Sequence, residues 1–220
     1  MLAYGKLCLA AVLLLSGCSK DGGDASPVVD KSWAPEKLTA VKGTPAAEIE
    51  AALRTALGGS PPEMITASQW DDTKKLYRVY GNNPLWLAQD GLHEDRALAL
   101  ANSILQAEQD GMRMDAYPIG ALARAMAAVR QTEKPSGQQL AETDIILTAS
   151  FVALGEDYLT GQIDPKSVSQ SWHIDTEEEE VDSALVRSLR NAALDKSIAS
   201  MRPQGPEYAS LRKELDRFQK

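Results

Sequence analysis

Residues 140–161, with the sequence LAETDIILTASFVALGEDYLTG, decide the fold class of this chain. When Asp144 is counted, spacings of four and three alternate along the set Leu140, Leu147, Phe151, Leu154 and Tyr158. This spacing places the side chains on one face of an α-helix, and Gly161 is typical of a helix end. The stretch therefore predicts a long helix that carries one carboxylate on its apolar face.

Helical periodicity continues on both sides of this stretch. Helix starts are predicted at or near Thr44 (with Pro45 at the first helical position), Ser68, His93, Thr176 and Pro206. No window alternates with period two, which would indicate a strand. The sequence predicts an all-α fold, a single compact domain of about seven or eight helices behind a flexible, lipid-anchored tether.

The N-terminal segment has the organisation of a secretion signal. Lys6 is its only charged side chain, and an apolar run over residues 7–15 is too short to span a bilayer. The sequence Leu15-Ser16-Gly17-Cys18 resembles the lipobox of bacterial lipoproteins, which implies cleavage before Cys18 and a lipid on that residue. Ser19 follows where an aspartate would favour the inner membrane. We therefore expect anchoring in the inner leaflet of the outer membrane, facing the periplasm.

Three parts follow from this organisation. Residues 1–17 are the lipoprotein signal peptide, residues 18–43 a lipidated flexible tether, and residues 44–220 the helical domain. The tether is assigned from its Gly, Ser, Asp, Pro and Lys content and its few periodic apolar residues. Trp33 is its one exception, and we interpret it as an aromatic residue that packs on the domain or on the membrane surface.

Composition excludes several kinds of partner and site. The chain has 31 acidic and 23 basic residues, a formal charge of −8, so it does not favour nucleic acid. Its only cysteines are Cys8, in the signal, and Cys18, which takes the lipid. The body is therefore predicted to have no disulfide, cysteine metal site or cofactor. We interpret the acidic run 177–180 as the start of a helix, where carboxylates favour the dipole, and not as a metal site.

Several segments, in order and spacing, resemble the scaffold region of the large periplasmic murein L,D-transpeptidases over residues 68–220. They include Leu76-Tyr77, Asn83-Pro84-Leu85-Trp86, Asp110-Gly111-Met112, Asp157-Tyr158-Leu159, Gly161-Gln162-Ile163-Asp164-Pro165 and Trp172-His173-Ile174. The resemblance implies a helical scaffold domain in cell-wall metabolism.

The sequence departs from that family where its chemistry is carried out. In the family, the scaffold region leads into a peptidoglycan-binding module and a catalytic domain with a His-Gly pair and a Ser-x-Gly-Cys nucleophile. Here no cysteine follows Cys18, and neither His93 nor His173 precedes a glycine. No catalytic residue can be carried over, and the sequence predicts a protein that is not an enzyme.

A few side chains remain as candidates for binding. Trp86 is either a core residue or a contact for murein or a partner, and Trp172 with His173 is either packed or a stacking platform for a sugar or peptide. Paired carboxylates can cleave glycans. However, we interpret the acidic residues Glu142, Asp144, Glu156 and Asp157 as a solvated helix face or as buried hydrogen-bond partners.

These observations predict a non-catalytic, lipid-anchored periplasmic scaffold protein of peptidoglycan metabolism, which binds murein or an L,D-transpeptidase partner. One alternative is a truncated or split murein L,D-transpeptidase whose catalytic cysteine domain is missing or supplied in trans. Another is a helical lipoprotein that only stabilises a different envelope complex and has no affinity for murein.

Overall fold

A computed structural model describes residues 32–163, 165–169 and 178–219. These residues form helices joined by short loops, which confirms the all-α prediction. The helices are α1 (Ala46–Leu57), α2 (Ala67–Val79), α3 (Glu94–Gln106), α4 (Ile119–Gln131), α5 (Gly137–Thr160), α6 (Pro165–Val168), α7 (Glu178–Leu189), α8 (Leu194–Ser200) and α9 (Pro206–Phe218). In the described part of the chain, no helix is both long and apolar enough to cross a membrane.

Two small antiparallel hairpins and two 3-10 turns complete the described structure. Strand β1 (Ala40–Val41) pairs with β2 (Thr44–Pro45), and β3 (Leu87–Ala88) pairs with β4 (Gly91–Leu92). The 3-10 turns are Ala107–Asp110 and Met114–Ala116. Each hairpin is too short to be stable alone, so both depend on packing against helices.

Helix α5 is the centre of the domain. It packs against α1, α2, α3, α4 and α7, and Leu147, Phe151 and Leu154 on its predicted apolar face are fully buried. The structure also buries the opposite side, including Val152 and Ala149, because a helix surrounded by others must be apolar all round. A Cβ atom at Gly155 would lie 2.4 Å from Leu185 of α7, so this glycine permits the close approach of the two helices.

Asp144 joins α5 to the segment that follows α2. Its fully buried carboxylate accepts hydrogen bonds from the Tyr77 hydroxyl at 2.6 Å, the Leu85 N–H at 3.0 Å and the Trp86 N–H at 2.8 Å. The Trp86 indole N–H donates to Thr148, one turn further along α5. Burial raises the pKa of Asp144 to about 6, although these hydrogen bonds lower it.

Two predicted helix starts are wrong by a few residues. Helix α1 begins at Ala46, because Thr44 pairs in β2 and its hydroxyl donates to the Pro135 carbonyl instead of capping the helix. Helix α2 begins after Thr66, which forms a capping box with Gln69 in place of the predicted cap at Ser68. The predicted cap at Thr176 lies outside the described residues.

The packed body begins earlier than the sequence predicts. Residues 32–43, assigned to the tether, lie along the helices: Val41 is fully buried, and the Lys42 ammonium donates to the Val129 and Thr132 carbonyls at 2.8 and 2.7 Å. A cation at the C-terminal end of α4 is favoured by the helix dipole. These anchors are single residues without periodicity, so the composition gave no sign of them. Residues 1–31, including Cys18, lie outside the described residues, and the tether remains a prediction there.

We expect Asp144→Asn to lower the free energy of unfolding by on the order of 3 kcal/mol, measured by urea denaturation. The asparagine side chain has one acceptor oxygen and an NH2 group that only donates. At least one of the three buried donors around it would therefore lose its hydrogen bond. Glu142→Gln is the matched control, because Glu142 is exposed on the same helix and should change little. A loss below about 0.5 kcal/mol for Asp144→Asn would contradict the structural role of this carboxylate.

Candidate functional site

A groove runs along α7 beside the end of α2. Its volume is about 590 Å³, and it is open to solvent. It is lined by Ser32, Val79, Asp182, Ser183, Val186, Arg187, Arg190 and Asn191. Val79 is 54% exposed although it is aliphatic, so the groove presents apolar surface to solvent. We refer to this site as the α2–α7 groove.

Polar contacts between the two helices hold the groove open at a fixed width. The Lys75 ammonium of α2 lies 3.3 Å from the Asp182 carboxylate of α7, and the Tyr80 hydroxyl donates to the Val186 carbonyl at 3.2 Å. Arg190 is a hydrogen-bond partner of Tyr80 at the same place. Burial raises the pKa of Tyr80, so its hydroxyl remains a donor at neutral pH.

The lining of the groove suits an apolar group that carries an anion. Val79 and Val186 supply aliphatic surface, and Arg187 and Arg190 line the groove together with Asp182, which is paired with Lys75. Arginine is suited to carboxylate because its planar donors match the two oxygens. Exposed apolar surface with adjacent charge is a common feature of ligand and partner sites.

Next to this groove, α2 and α5 bring two carboxyl groups together. Glu156 shares a hydrogen bond with Asp72, and Asp72 is ion-paired with Lys75 at 2.7 Å. Burial, followed by the contact with Asp72, raises the pKa of Glu156 to about 8. At neutral pH Glu156 is therefore mostly protonated and donates to Asp72, whose charge Lys75 balances.

The acidic residues singled out in the sequence do not pair with one another. Asp144 is bonded to donors from the α2 side, and Asp157 accepts from Tyr117 and, at 2.9 Å, from Gln162. Glu142 is exposed and accepts from Gln138. Only Glu156 has a carboxyl partner, Asp72, which sequence analysis missed because it lies on another helix.

The structure corrects one predicted binding residue. Trp86 is fully buried against Phe151, so it is a core residue and not an exposed contact. Trp172 and His173 lie outside the described residues, as does Cys18, the predicted site of lipid attachment. The groove residues Val79, Arg187 and Arg190 were missed, because an exposed valine and two surface arginines carry no pattern.

A second cluster holds the last helix. Asp110 has no exposed side-chain surface, and its carboxylate lies 2.8 Å from the Arg202 guanidinium and 2.5 Å from that of Arg212 on α9. The Tyr158 and Tyr208 hydroxyls donate to the same carboxylate at 3.1 and 3.0 Å. Sequence analysis quoted Asp110 only as part of a turn. Within the described ranges, no group of three or more His, Cys, Asp or Glu side chains could hold a metal ion.

We expect Glu156→Gln to remove a pH dependence of stability. The raised pKa of Glu156 means that its proton stabilises the fold fully at low pH, and that this stabilisation is lost as pH rises through about 8. An amide keeps its donor at every pH. The urea midpoint of the unmodified chain should fall between about pH 5 and pH 8, and that of Glu156→Gln should fall less.

Glu142→Gln controls for the removal of a charge from the same helix and should keep the full decline. Parallel curves for the unmodified chain and Glu156→Gln over this pH range would show that the carboxyl pair holds no proton at neutral pH.

Comparison with known proteins places this architecture in a family. A family model described as Scaffold domain matches residues 71–215, about two thirds of the chain. No curated protein and no solved structure matches the chain. The matched region extends from α2 into α9 and includes the buried Asp144, the Asp110 cluster and most of the α2–α7 groove. The chain therefore belongs to the Scaffold domain family.

Proposed function

We propose that this protein is a non-catalytic scaffold protein of peptidoglycan metabolism. A lipid on Cys18 holds it at the inner leaflet of the outer membrane, and the α2–α7 groove binds murein from the periplasmic side. The single observation that carries this proposal is the groove itself, which combines aliphatic surface with two arginines in a protein of net negative charge.

The groove suits the peptide part of murein better than its glycan. Stem peptides are extended, carry free carboxylates and contain small aliphatic side chains. Arg187 and Arg190 match the carboxylates, and Val79 and Val186 match the aliphatic groups. Glycan recognition would instead call for exposed aromatic rings, and the lining residues that the structure describes are not aromatic.

The absence of a catalytic role is part of the proposal. L,D-transpeptidation needs a cysteine nucleophile, and no cysteine follows Cys18 in the sequence. The histidine in the described residues, His93, lies edge-on to Trp33 at 5.9 Å and 3.8 Å from the Glu36 carboxylate. We interpret this histidine as a packing residue beside Trp33.

The test is co-sedimentation of the chain from residue 18, with Cys18→Ser, with isolated sacculi over a range of salt concentrations. We expect saturable pelleting that weakens with salt, because carboxylate–arginine contacts at a surface are screened. Arg187→Glu should weaken binding roughly fivefold to tenfold, since it reverses one charge at the groove.

Arg124→Glu is the matched control, because Arg124 is an exposed arginine in the middle of α4 and does not line the groove. Absence of pelleting at any salt concentration would overturn murein binding. An equal loss of binding in both variants would place the site elsewhere.

A second candidate function is the docking of an L,D-transpeptidase, and α9 is the feature that favours it. This helix has no buried residue, and it exposes Leu211 and Phe218, which are 69% and 88% exposed, on one side with Leu215 between them. The spacing of four and then three residues is that of a helix seated in an apolar groove of a partner.

This candidate is tested with a purified murein L,D-transpeptidase and the same soluble chain, by sedimentation velocity. Leu211→Gln should abolish complex formation if α9 is the docking element, while Leu98→Gln on α3, also an exposed leucine, should leave it unchanged. No complex with the unmodified chain, together with saturable binding to sacculi, would leave the groove as the functional site.

A further inference from the structure

Residues 32–36 cross the ends of α3 and α7 as a short strap, which we call the N-terminal clip. The Trp33 N–H donates to the Arg190 carbonyl at 2.6 Å, and Ser32 forms an antiparallel bridge with Asn191. The Trp33 ring lies edge-on to His93. The clip is thus attached by backbone bonds to the C-terminal end of α7 and by its one aromatic ring to the start of α3.

Arg96 forms the seat of the Trp33 ring. Its guanidinium carbon lies 3.8 Å from the centre of the indole, within the range of a cation–π contact. The edge of the same guanidinium donates to the Leu189 and Asn191 carbonyls at 2.7 and 2.9 Å, at the end of α7. The Arg96 guanidinium therefore binds the end of α7 through its N–H groups and binds the clip through its planar face.

The clip also belongs to the α2–α7 groove. Ser32 and Asn191, the two residues of the bridge, both line the groove. A closed clip completes that end of the groove, and an open clip would remove the Ser32 side of the wall. The backbone bonds of the clip are few and lie next to a half-buried tryptophan, which is typical of a segment that opens locally without unfolding of the core.

We propose that the N-terminal clip opens and closes on the Arg96 seat, and that clip closure and occupation of the α2–α7 groove by a murein stem peptide stabilise each other. The coupling rests on the proposed function of the groove, whereas the opening of the clip does not. Coupling of this kind is reciprocal: a ligand that favours the closed clip binds more weakly when the clip is held open.

The clip also decides where the N-terminal segment leaves the domain. If residues 18–31 form the predicted tether, that tether ends at residue 31 when the clip is closed and extends to residue 36 when the clip is open. For a flexible chain this changes the root-mean-square reach from about 20 Å to about 25 Å. Groove occupancy would thus be linked to the distance between the domain and the membrane.

Opening is tested by amide hydrogen exchange on the chain from residue 18 with Cys18→Ser. We expect the Trp33 amide, bonded to Arg190, to exchange at least tenfold faster than amides of α5. Trp33→Ala should accelerate exchange at the neighbouring clip amides, and Trp33→Phe, which keeps a ring on Arg96, should restore much of the protection. Exchange at Trp33 as slow as that of α5 would overturn the clip as a moving element.

Coupling is tested with a disulfide lock. Ser32→Cys with Asn191→Cys places two thiols on residues bridged across an antiparallel pair, a separation that a disulfide can span. With Cys18→Ser, the soluble chain contains no other cysteine. The reduced form of the same protein is the control, because it carries both substitutions without the lock.

We expect Trp33→Ala to bind sacculi at least threefold more weakly than the unmodified chain, and the oxidised lock combined with Trp33→Ala to restore that affinity, because the lock replaces the closure that the missing ring no longer supports. If Trp33→Ala opened the clip in hydrogen exchange and still bound sacculi as tightly as the unmodified chain, the coupling would be overturned while murein binding stayed intact. If no variant pelleted with sacculi, the proposed function and the coupling would both be wrong, and hydrogen exchange would still decide whether the clip opens.

Discussion

The carboxylate of Asp144 is buried in the N-terminal third of α5, the longest described helix, and it accepts hydrogen bonds from Tyr77, Leu85 and Trp86. A buried carboxylate without partners would be strongly destabilising, so these three donors can take only one arrangement around it. That arrangement fixes α2 and the loop after it on α5. The position of α2 in turn sets one side of the α2–α7 groove and the place of Asp72 beside Glu156. The rest of the fold depends on this constraint.

Charged groups add directional contacts at the later helices. Helix α7 shares the apolar core through Leu185 and Leu189, whereas α9 buries no residue. Arg96 donates to carbonyls at the C-terminal end of α7, and Arg202 and Arg212 converge on Asp110 to hold α9. Bonds between charged groups and helix ends are directional and depend on salt and pH more than apolar packing does. The proposed binding surfaces lie on these later elements, where a partner can compete with or reinforce a few specific contacts without disturbing the core.

A scaffold role is consistent with this division. The helical core presents two separate surfaces, the groove and the exposed side of α9, and we propose that they serve different partners. The N-terminal clip connects the groove to the segment that we propose is anchored by lipid, because Ser32 belongs to both. In this proposal, ligand binding and the path of the N-terminal segment are linked, since both involve the same few contacts around Arg96 and Trp33.

The sequence by itself determined the all-α class, the central helix and the one carboxylate on its apolar face, because helical periodicity is a local property that neighbouring residues express directly. It also marked Asp144, Trp86 and Trp33 as unusual, without their partners. Only the tertiary structure decided that Trp86 is buried, that residues 32–43 belong to the packed body, and that Asp72 meets Glu156. Only the tertiary structure shows that Ser32, Val79 and Arg187 line the same groove. These features join residues that are far apart in the chain. The energies of such contacts depend on burial and charge in the folded state, and no single segment of the sequence encodes them.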